Sequence, residues 1–387
     1  MTPEKLKVAY LSPRDPRSKL SWSGTMFYMN ESMMQNVGEV YVLGPYDPPV
    51  ITFILKVYRK ILKFLFRKNF NFAYSSLLTF SAARFFDRQI KSCNPDVIVA
   101  VSSTPFTSKL RTSLPIIIID DINFSQLLNY YDNYSNLPDR SIKIGHELTS
   151  KAYKKSAAVV FSSEWSKKST IDVYDIPEEK IHVISFGANL DKIADRSEAL
   201  HKKISGEVKL LFIGVDWYRK GGYIAFEALK DLNSQNIPVT LTVCGCVPPD
   251  KFRHDKMKII PFLNKNNPED FTQLFKIYLE THFLIIPTRA DCTPIVFCEA
   301  NSFGVPVVTT DTGGVSAVIE DGINGILHQV DDDGFKYAET IKYYYNNPKA
   351  YNELVQNSRN TFENRLNWIS WGHSIKKLSE KILSNKR

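Results

Sequence analysis

The chain has 387 residues and a net charge of +8, with 43% hydrophobic and 12% aromatic residues. That length exceeds one ordinary core and suits two domains, and the composition excludes a disordered chain. No apolar run approaches the roughly 18 residues needed to span a bilayer, and the opening MTPEKLKVAYLS lacks a signal peptide's apolar region.

In chain order, KVAYLS (7–12) predicts a strand, TMFYMNESMMQN (25–36) a helix and EVYVLG (39–44) a second strand. The stretch ITFILKVYRKILKFLFRKNFNF (51–72) reads as a basic amphipathic helix. Its cations, Lys56, Arg59, Lys60, Lys63, Arg67 and Lys68, recur mostly at spacings of three and four. No acid falls between Asp47 and Asp87, and residues 51–100 hold nine Lys and Arg against two Asp and Glu. One segment therefore carries nearly all the charge excess. That pattern suits an anionic membrane surface, and it predicts no nucleic-acid partner, which would favour cations spread along a binding face.

Continuous apolar runs follow at PDVIVAVSS (95–103), LPIIIIDD (114–121), AAVVFSS (157–163) and KIHVISFG (180–187), with helical patterns between them. Strands buried on both faces read this way, as in parallel sheets. Residues 188–206 are polar and charged and read as a linker. The alternation restarts with strands at 208–214, 238–245, 257–262, 282–288, 306–310 and 325–329. Helices are expected at 221–234, 268–279, 294–303, 315–320 and 332–346, and a helical tail at 362–387 holds Trp368 and Trp371. The expected fold class is α/β: two tandem Rossmann-like doubly wound domains facing across a cleft. The boundaries fall at 1–190, 191–365 and a terminal helix at 366–387. The five cysteines lack zinc-type spacing and read as reduced thiols.

In such sheets ligands bind beyond the carboxyl ends of the strands, and polar groups collect there in the second half. Arg219 and Lys220 precede Gly221 and Gly222, where a helix opens. Two cations beside free helix-start amides suit a diphosphate. After the 282–288 strand comes Asp291, then Thr293 as a helix cap and Pro294 as a first helical residue. Glu299 lies in that helix, eight positions after Asp291. Both carboxylates can accept hydrogen bonds from hydroxyls. Gly313 and Gly314 precede a third helix start. Anion-binding helix starts beside hydroxyl-binding acids describe a sugar-nucleotide site. The acidic run DDDG (331–334) reads as a solvated turn and helix start, not as a metal site.

The stretches FIGVDWYRKGG (212–222), PTRADCTPIVFCEANSFGVPVVTTDTGG (287–314) and DGINGIL (321–327), with SWSGTMFYM (21–29) and VVFSSEWSKKS (159–169), resemble glycosyltransferase family four, which has the two-domain GT-B fold. The family pattern is Glu, seven residues, Glu; here Asp291 takes the first position and Glu299 the second. The resemblance implies that Arg219 and Lys220 hold the donor diphosphate, that Glu299 binds the nucleotide ribose, and that Asp291 touches a hydroxyl of the transferred sugar. It implies backbone contacts at Thr293, Pro294 and Ile295, although Pro294 has no N–H to donate, and donor binding near Gly313 and Gly314. Gly24 matches a glycine of the first loop, near the reaction centre. Asp121 takes the strand end where many members place a polar group, often His.

The resemblance further implies a retaining, metal-independent transferase with no cofactor. It would move a hexose-type sugar from a nucleotide-diphosphate sugar to a glycan or polyprenyl-linked acceptor in cell-surface polysaccharide assembly. Its expected place is the cytoplasmic face of the cell membrane, and its terminal helix is expected to cross back to the first domain. Two alternatives stay open: a nucleotide-sugar epimerase of the same architecture, and a non-catalytic membrane-surface or polyanion-binding protein.

Overall fold

The computed structural model describes residues 5–385. They form two compact units, one running to Ile184 and resuming at Trp368, the other spanning Ser185–Asn367. The first holds strands β1 (Leu6–Leu11), β2 (Gly38–Leu43), β3 (Val97–Val101), β4 (Ile116–Asp120), β5 (Ala158–Phe161) and β6 (Ile181–Val183), in the spatial order β2-β1-β3-β4-β5-β6. The second holds β7 (Val208–Ile213), β8 (Val239–Cys244), β9 (Met257–Ile260), β10 (Phe283–Ile286), β11 (Val307–Thr310) and β12 (Gly325–His328), in the order β12-β11-β10-β7-β8-β9. Every pairing within both sheets is parallel.

Helices cover both faces of such a sheet, so the central strands see no water. Val97–Val101, Ile117–Ile119, Leu210–Phe212 and Phe283–Ile286 are all buried, which is why their sequences are unbroken apolar runs rather than alternations. In each sheet the chain winds outward in both directions from one point. That switch point lies between β1 and β3 in the first sheet and between β7 and β10 in the second. The strands end there on one edge and the connections diverge, which leaves a crevice.

Four expectations need revision. Residues 188–206 are no linker: Ala188, Leu190, Ala194 and Ala199 are buried in the core of the second unit. A short helix, Arg196–Leu200, forms there behind the Asp195–Glu198 capping box, so its polar residues face outward while its small apolar ones pack. The unit boundary accordingly falls at Ile184–Ser185, ahead of residue 190. The helix expected at 315–320 is only a 3₁₀ turn, Val315–Ala317. The tail is two helices, Pro348–Asn364 and Trp368–Ser384, because the chain breaks at Arg365, whose guanidinium instead donates to the Ala317 and Val318 carbonyls at 2.6 and 3.2 Å.

The last helix packs within the first unit, against the helix Thr25–Asn36. Tyr28 stacks on Trp368 at 6.5 Å between ring centroids, and Ser32 Oγ donates to the Trp368 carbonyl. The acidic turn behaves as expected: the Asp333 carboxylate accepts from the Phe335 and Lys336 amides at 3.1 and 3.3 Å and caps the helix Gly334–Asn346. No two of the five cysteines are bonded to each other. Among the described residues no helix is long and apolar enough to cross a membrane.

Two glycines with the same backbone angle test the packing at the second switch point. Gly221 has φ +72°, and a Cβ there would collide with the Pro287 carbonyl oxygen; Gly322 has φ +73° and open space around it. Gly322→Ala is expected to cost only the left-handed strain of about 1 kcal/mol, and Gly221→Ala about 3 kcal/mol or more. Chemical denaturation of the two variants measures the difference, and equal losses would show that the loops after β7 and β10 are not closely packed.

Candidate active site

Two loops meet at the switch point of the second sheet. The loop after β7 turns tightly. In it the Lys220 amide donates to the Asp216 carbonyl at 3.1 Å, the Gly221 amide to Tyr218 at 3.0 Å and the Gly222 amide to Trp217 at 2.8 Å. These bonds correct one expectation: the amides of Gly221 and Gly222 are consumed by the turn, so the loop offers its cations rather than those two N–H groups. The loop after β10 is strapped alongside. The Arg289 amide donates to the Arg219 carbonyl at 2.7 Å, and Arg219 Nη1 donates to the Ala290 carbonyl at 2.8 Å.

This strapping sets Lys220 against Asp291. The two side chains form an ion pair, and the residues are only 9% and 7% exposed. A charge taken out of water is costly unless it is paired, so each group holds the other in place. The Asp291 carbonyl also accepts from the Gly314 amide at 2.9 Å, which ties in the turn after β11, where Gly313 has φ +58°. Arg219, Lys220, Asp291, Gly313 and Gly314 thus converge on one sheet edge.

Thr293, Pro294 and Ile295 follow directly, but the helix there begins one residue later than expected. Pro294, with ψ 84°, is the cap, and Ile295 opens the helix Ile295–Ser302. Glu299 in that helix is 1% exposed. Its carboxylate accepts from the Lys265 ammonium and, at 3.1 Å, from the Tyr278 hydroxyl. Burial, and then the neighbouring Glu299, hold the Tyr278 pKa well above its ordinary value, so the phenol remains a donor. Lys265 and Tyr278 escape sequence reading. Lys265 sits in a featureless polar loop after β9, and Tyr278 looks like an ordinary packing residue of the helix Pro268–Glu280.

In the first unit, Gly24 ends the loop after β1, the strand at that sheet's switch point. Trp22, Ser23 and Gly24 are all left-handed, with φ of 50°, 54° and 89°. Each non-glycine in that region costs roughly 1–2 kcal/mol, and such strain gathers at functional sites. The acid that closes β4 is Asp120, not Asp121: the strand hydrogen bonds run one residue short of the expected end. Asp121 lies in the following turn, where its carbonyl accepts from Ser166 Oγ at 2.8 Å. The Asp120 carboxylate accepts from the Thr104 hydroxyl, just beyond β3. Surrounding protein atoms push the Asp120 pKa up to about 8, although part of its side chain still meets solvent.

Residues 31–192 match the family model described as Glycosyltransferase Family 4, and residues 195–361 match the one described as Glycosyl transferases group 1. The chain belongs to the family-four glycosyltransferases. A D-inositol 3-phosphate glycosyltransferase of Corynebacterium urealyticum is 25% identical over 175 residues, which cover 40% of each chain, so less than half of that curated relative is matched. Anabaena HepE, solved in complex with UDP and glucose, has a TM-score of 0.62 at 16% identity over 97% of this chain and 100% of its own. An apo lipopolysaccharide outer core galactosyltransferase has a TM-score of 0.64 at 12% identity over 97% and 100%. These likenesses show the GT-B fold.

In this glycosyltransferase every charged group of the site already has a protein partner. The Arg219 side chain stays partly exposed, with its Nε 3.8 Å from an Asp216 carboxylate oxygen.

The raised pKa of Asp120 has a consequence for stability. The folded protein keeps this proton up to about pH 8, whereas the unfolded chain loses it near 4. Between those values the unfolded state binds fewer protons, so the contribution to stability falls as pH rises. Asp120→Asn is expected to remove that decline. Unfolding midpoints of both proteins from pH 5 to 8 measure it, and parallel curves would contradict the shift.

Proposed function

We propose that this glycosyltransferase moves a hexose-type sugar from a nucleotide-diphosphate sugar to a glycan or polyprenyl-linked acceptor, with retention at the anomeric carbon and without a metal ion. The observation that carries this reading is the buried Lys220–Asp291 pair at the switch point of the second sheet. As the glycosidic bond breaks, the departing nucleoside diphosphate gains negative charge. Lys220 and Arg219 are preorganised cations on that edge, and stabilising developing charge in this way is commonly the largest catalytic contribution. Asp291 accepts from a hydroxyl of the transferred sugar and Glu299 from the ribose, with Gly313, Gly314 and the backbone of Thr293 and Ile295 around them. A donor phosphate oxygen takes the acceptor's proton.

HepE, with UDP and glucose in the same fold, supports a uridine nucleotide and a hexose. The lipopolysaccharide galactosyltransferase supports a place in cell-surface polysaccharide assembly. The helix Pro49–Phe66, with its basic flank and exposed apolar side chains, supports a peripheral position on the cytoplasmic face of the membrane.

Lys220→Ala should lower sugar transfer by about two orders of magnitude. Lys220→Gln, which still donates to Asp291 and so spares the fold, should show the same loss. Release of nucleoside diphosphate across a panel of nucleotide sugars measures both, and near-normal turnover in a folded variant refutes the assignment. A chelator should leave the rate unchanged. A product formed only when acceptor is added separates transfer from epimerisation.

A further inference from the structure

The helix Pro49–Phe66 buries only Leu55 and Leu62. Phe53, Phe64 and Leu65 are 68%, 86% and 63% exposed, and Val50, Ile54, Val57 and Ile61 also face solvent. Their spacings of three and four make one apolar stripe, and Lys56, Arg59, Lys60 and Lys63 share a neighbouring side of the helix, with Lys60 bordering the stripe and Arg59 turned farthest from it. An apolar stripe of this length is costly in water unless something covers it.

At the end of the helix the chain doubles back. Arg67 is left-handed, with φ 53°, and the Lys68 amide donates to the Leu62 carbonyl at 3.3 Å. The returning segment is pinned. The Asn69 amide donates to the Asn136 carbonyl at 3.0 Å, Asn69 Nδ2 to Ser135 at 2.7 Å, and Asn136 Nδ2 to the Arg67 carbonyl at 2.8 Å. Between helix and segment opens a cavity of about 490 Å³, within the size range of small-molecule sites. Arg59, Lys60, Lys63 and Lys68 line it together with Phe70 and Phe72, and no acidic side chain does.

Two of the cations are held in position. The Arg59 guanidinium sits 4.8 Å over the Phe72 ring, Lys63 Nζ donates to Asn69 Oδ1 at 3.1 Å, and Tyr58 packs edge-on against Phe70 at 5.0 Å. Four cations exceed what a phosphodiester of single charge would match. A phosphate monoester, with its charge of about −1.5 to −2, or a diphosphate fits better.

We propose that this cavity binds the terminal phosphate or diphosphate of a membrane lipid while the apolar stripe enters the same bilayer. The inference rests on the membrane position proposed above and adds a headgroup preference to it. The helix then selects a phosphorylated lipid and does not merely sense surface charge.

Vesicle co-sedimentation tests this with phosphatidylcholine containing either phosphatidic acid or phosphatidylglycerol, adjusted to equal zeta potential. The intact protein should bind the phosphatidic acid vesicles several-fold more tightly. Arg59→Gln/Lys63→Gln should lower that binding to the phosphatidylglycerol level. Lys56→Gln/Arg67→Gln, which removes the same charge outside the cavity, should weaken both equally, by about fivefold per cation. Phe64→Ser/Leu65→Ser should also weaken both equally. Equal affinity for the two lipids, or identical behaviour of the two charge variants, overturns the headgroup site and leaves the membrane position standing. Failure to bind either vesicle overturns both.

Discussion

Lys220 and Asp291 are 71 residues apart in sequence and share one buried ion pair. Each charge is costly without the other at that depth, so the pair adds to the bonds from the Arg289 amide and the Arg219 guanidinium that strap the loops after β7 and β10 together. Those strands are neighbours because the chain winds away from them in opposite directions, one path toward β9 and the other toward β12. The Gly313–Gly314 turn joins through the Asp291 carbonyl. The geometry of the candidate active site is therefore a consequence of parallel winding, and the ion pair is its fastener.

The same pair explains how a site of full charges stays folded without a ligand. Asp291 satisfies Lys220, while Lys265 and Tyr278 satisfy Glu299. On the proposed reading, a donor's phosphate would compete with Asp291 for Lys220 while its hydroxyls donate to Asp291 and Glu299, and complementarity of this sort gives specificity more than raw affinity.

The first unit contributes a different character. Its switch-point loop stores strain in Trp22 and Ser23, and its strand-end acid, Asp120, is held largely protonated. Its helix Pro49–Phe66 departs from the usual pattern of a surface helix, because its widest apolar stripe faces solvent and its buried contacts are few. The strained loop and the raised acid lie at the strand ends of the first unit, the apolar stripe lies where a membrane surface is proposed to bind, and stability is conventionally surrendered at functional places.

Much of this was legible from residue order alone. Unbroken apolar runs between helical patterns specify parallel strands, because only a sheet covered on both faces buries alternate side chains equally. The family motifs singled out Arg219, Lys220 and Asp291, which the fold brings to one sheet edge, and Glu299, which it buries against Lys265 and Tyr278. What failed depended on contacts between distant residues. The segment 188–206 looked like a linker because its charges are conspicuous and its four buried apolar side chains are not. Asp120 and Asp121 are adjacent and alike, and only the pairing with β5 decides which one closes the strand. The amides of Gly221 and Gly222 were expected to be free, and the turn that consumes them appears only in three dimensions. Lys265 carries no local signal, since its role comes from reaching Glu299 across 34 residues. Sequence by itself determined the elements, their parallel arrangement and the chemical types at the strand ends, because these follow from local pattern and periodicity. Tertiary structure alone decided which charges meet, which amides remain to bind a ligand and which face of the basic helix is left to solvent, because pairing and burial are properties of residues brought together by the fold.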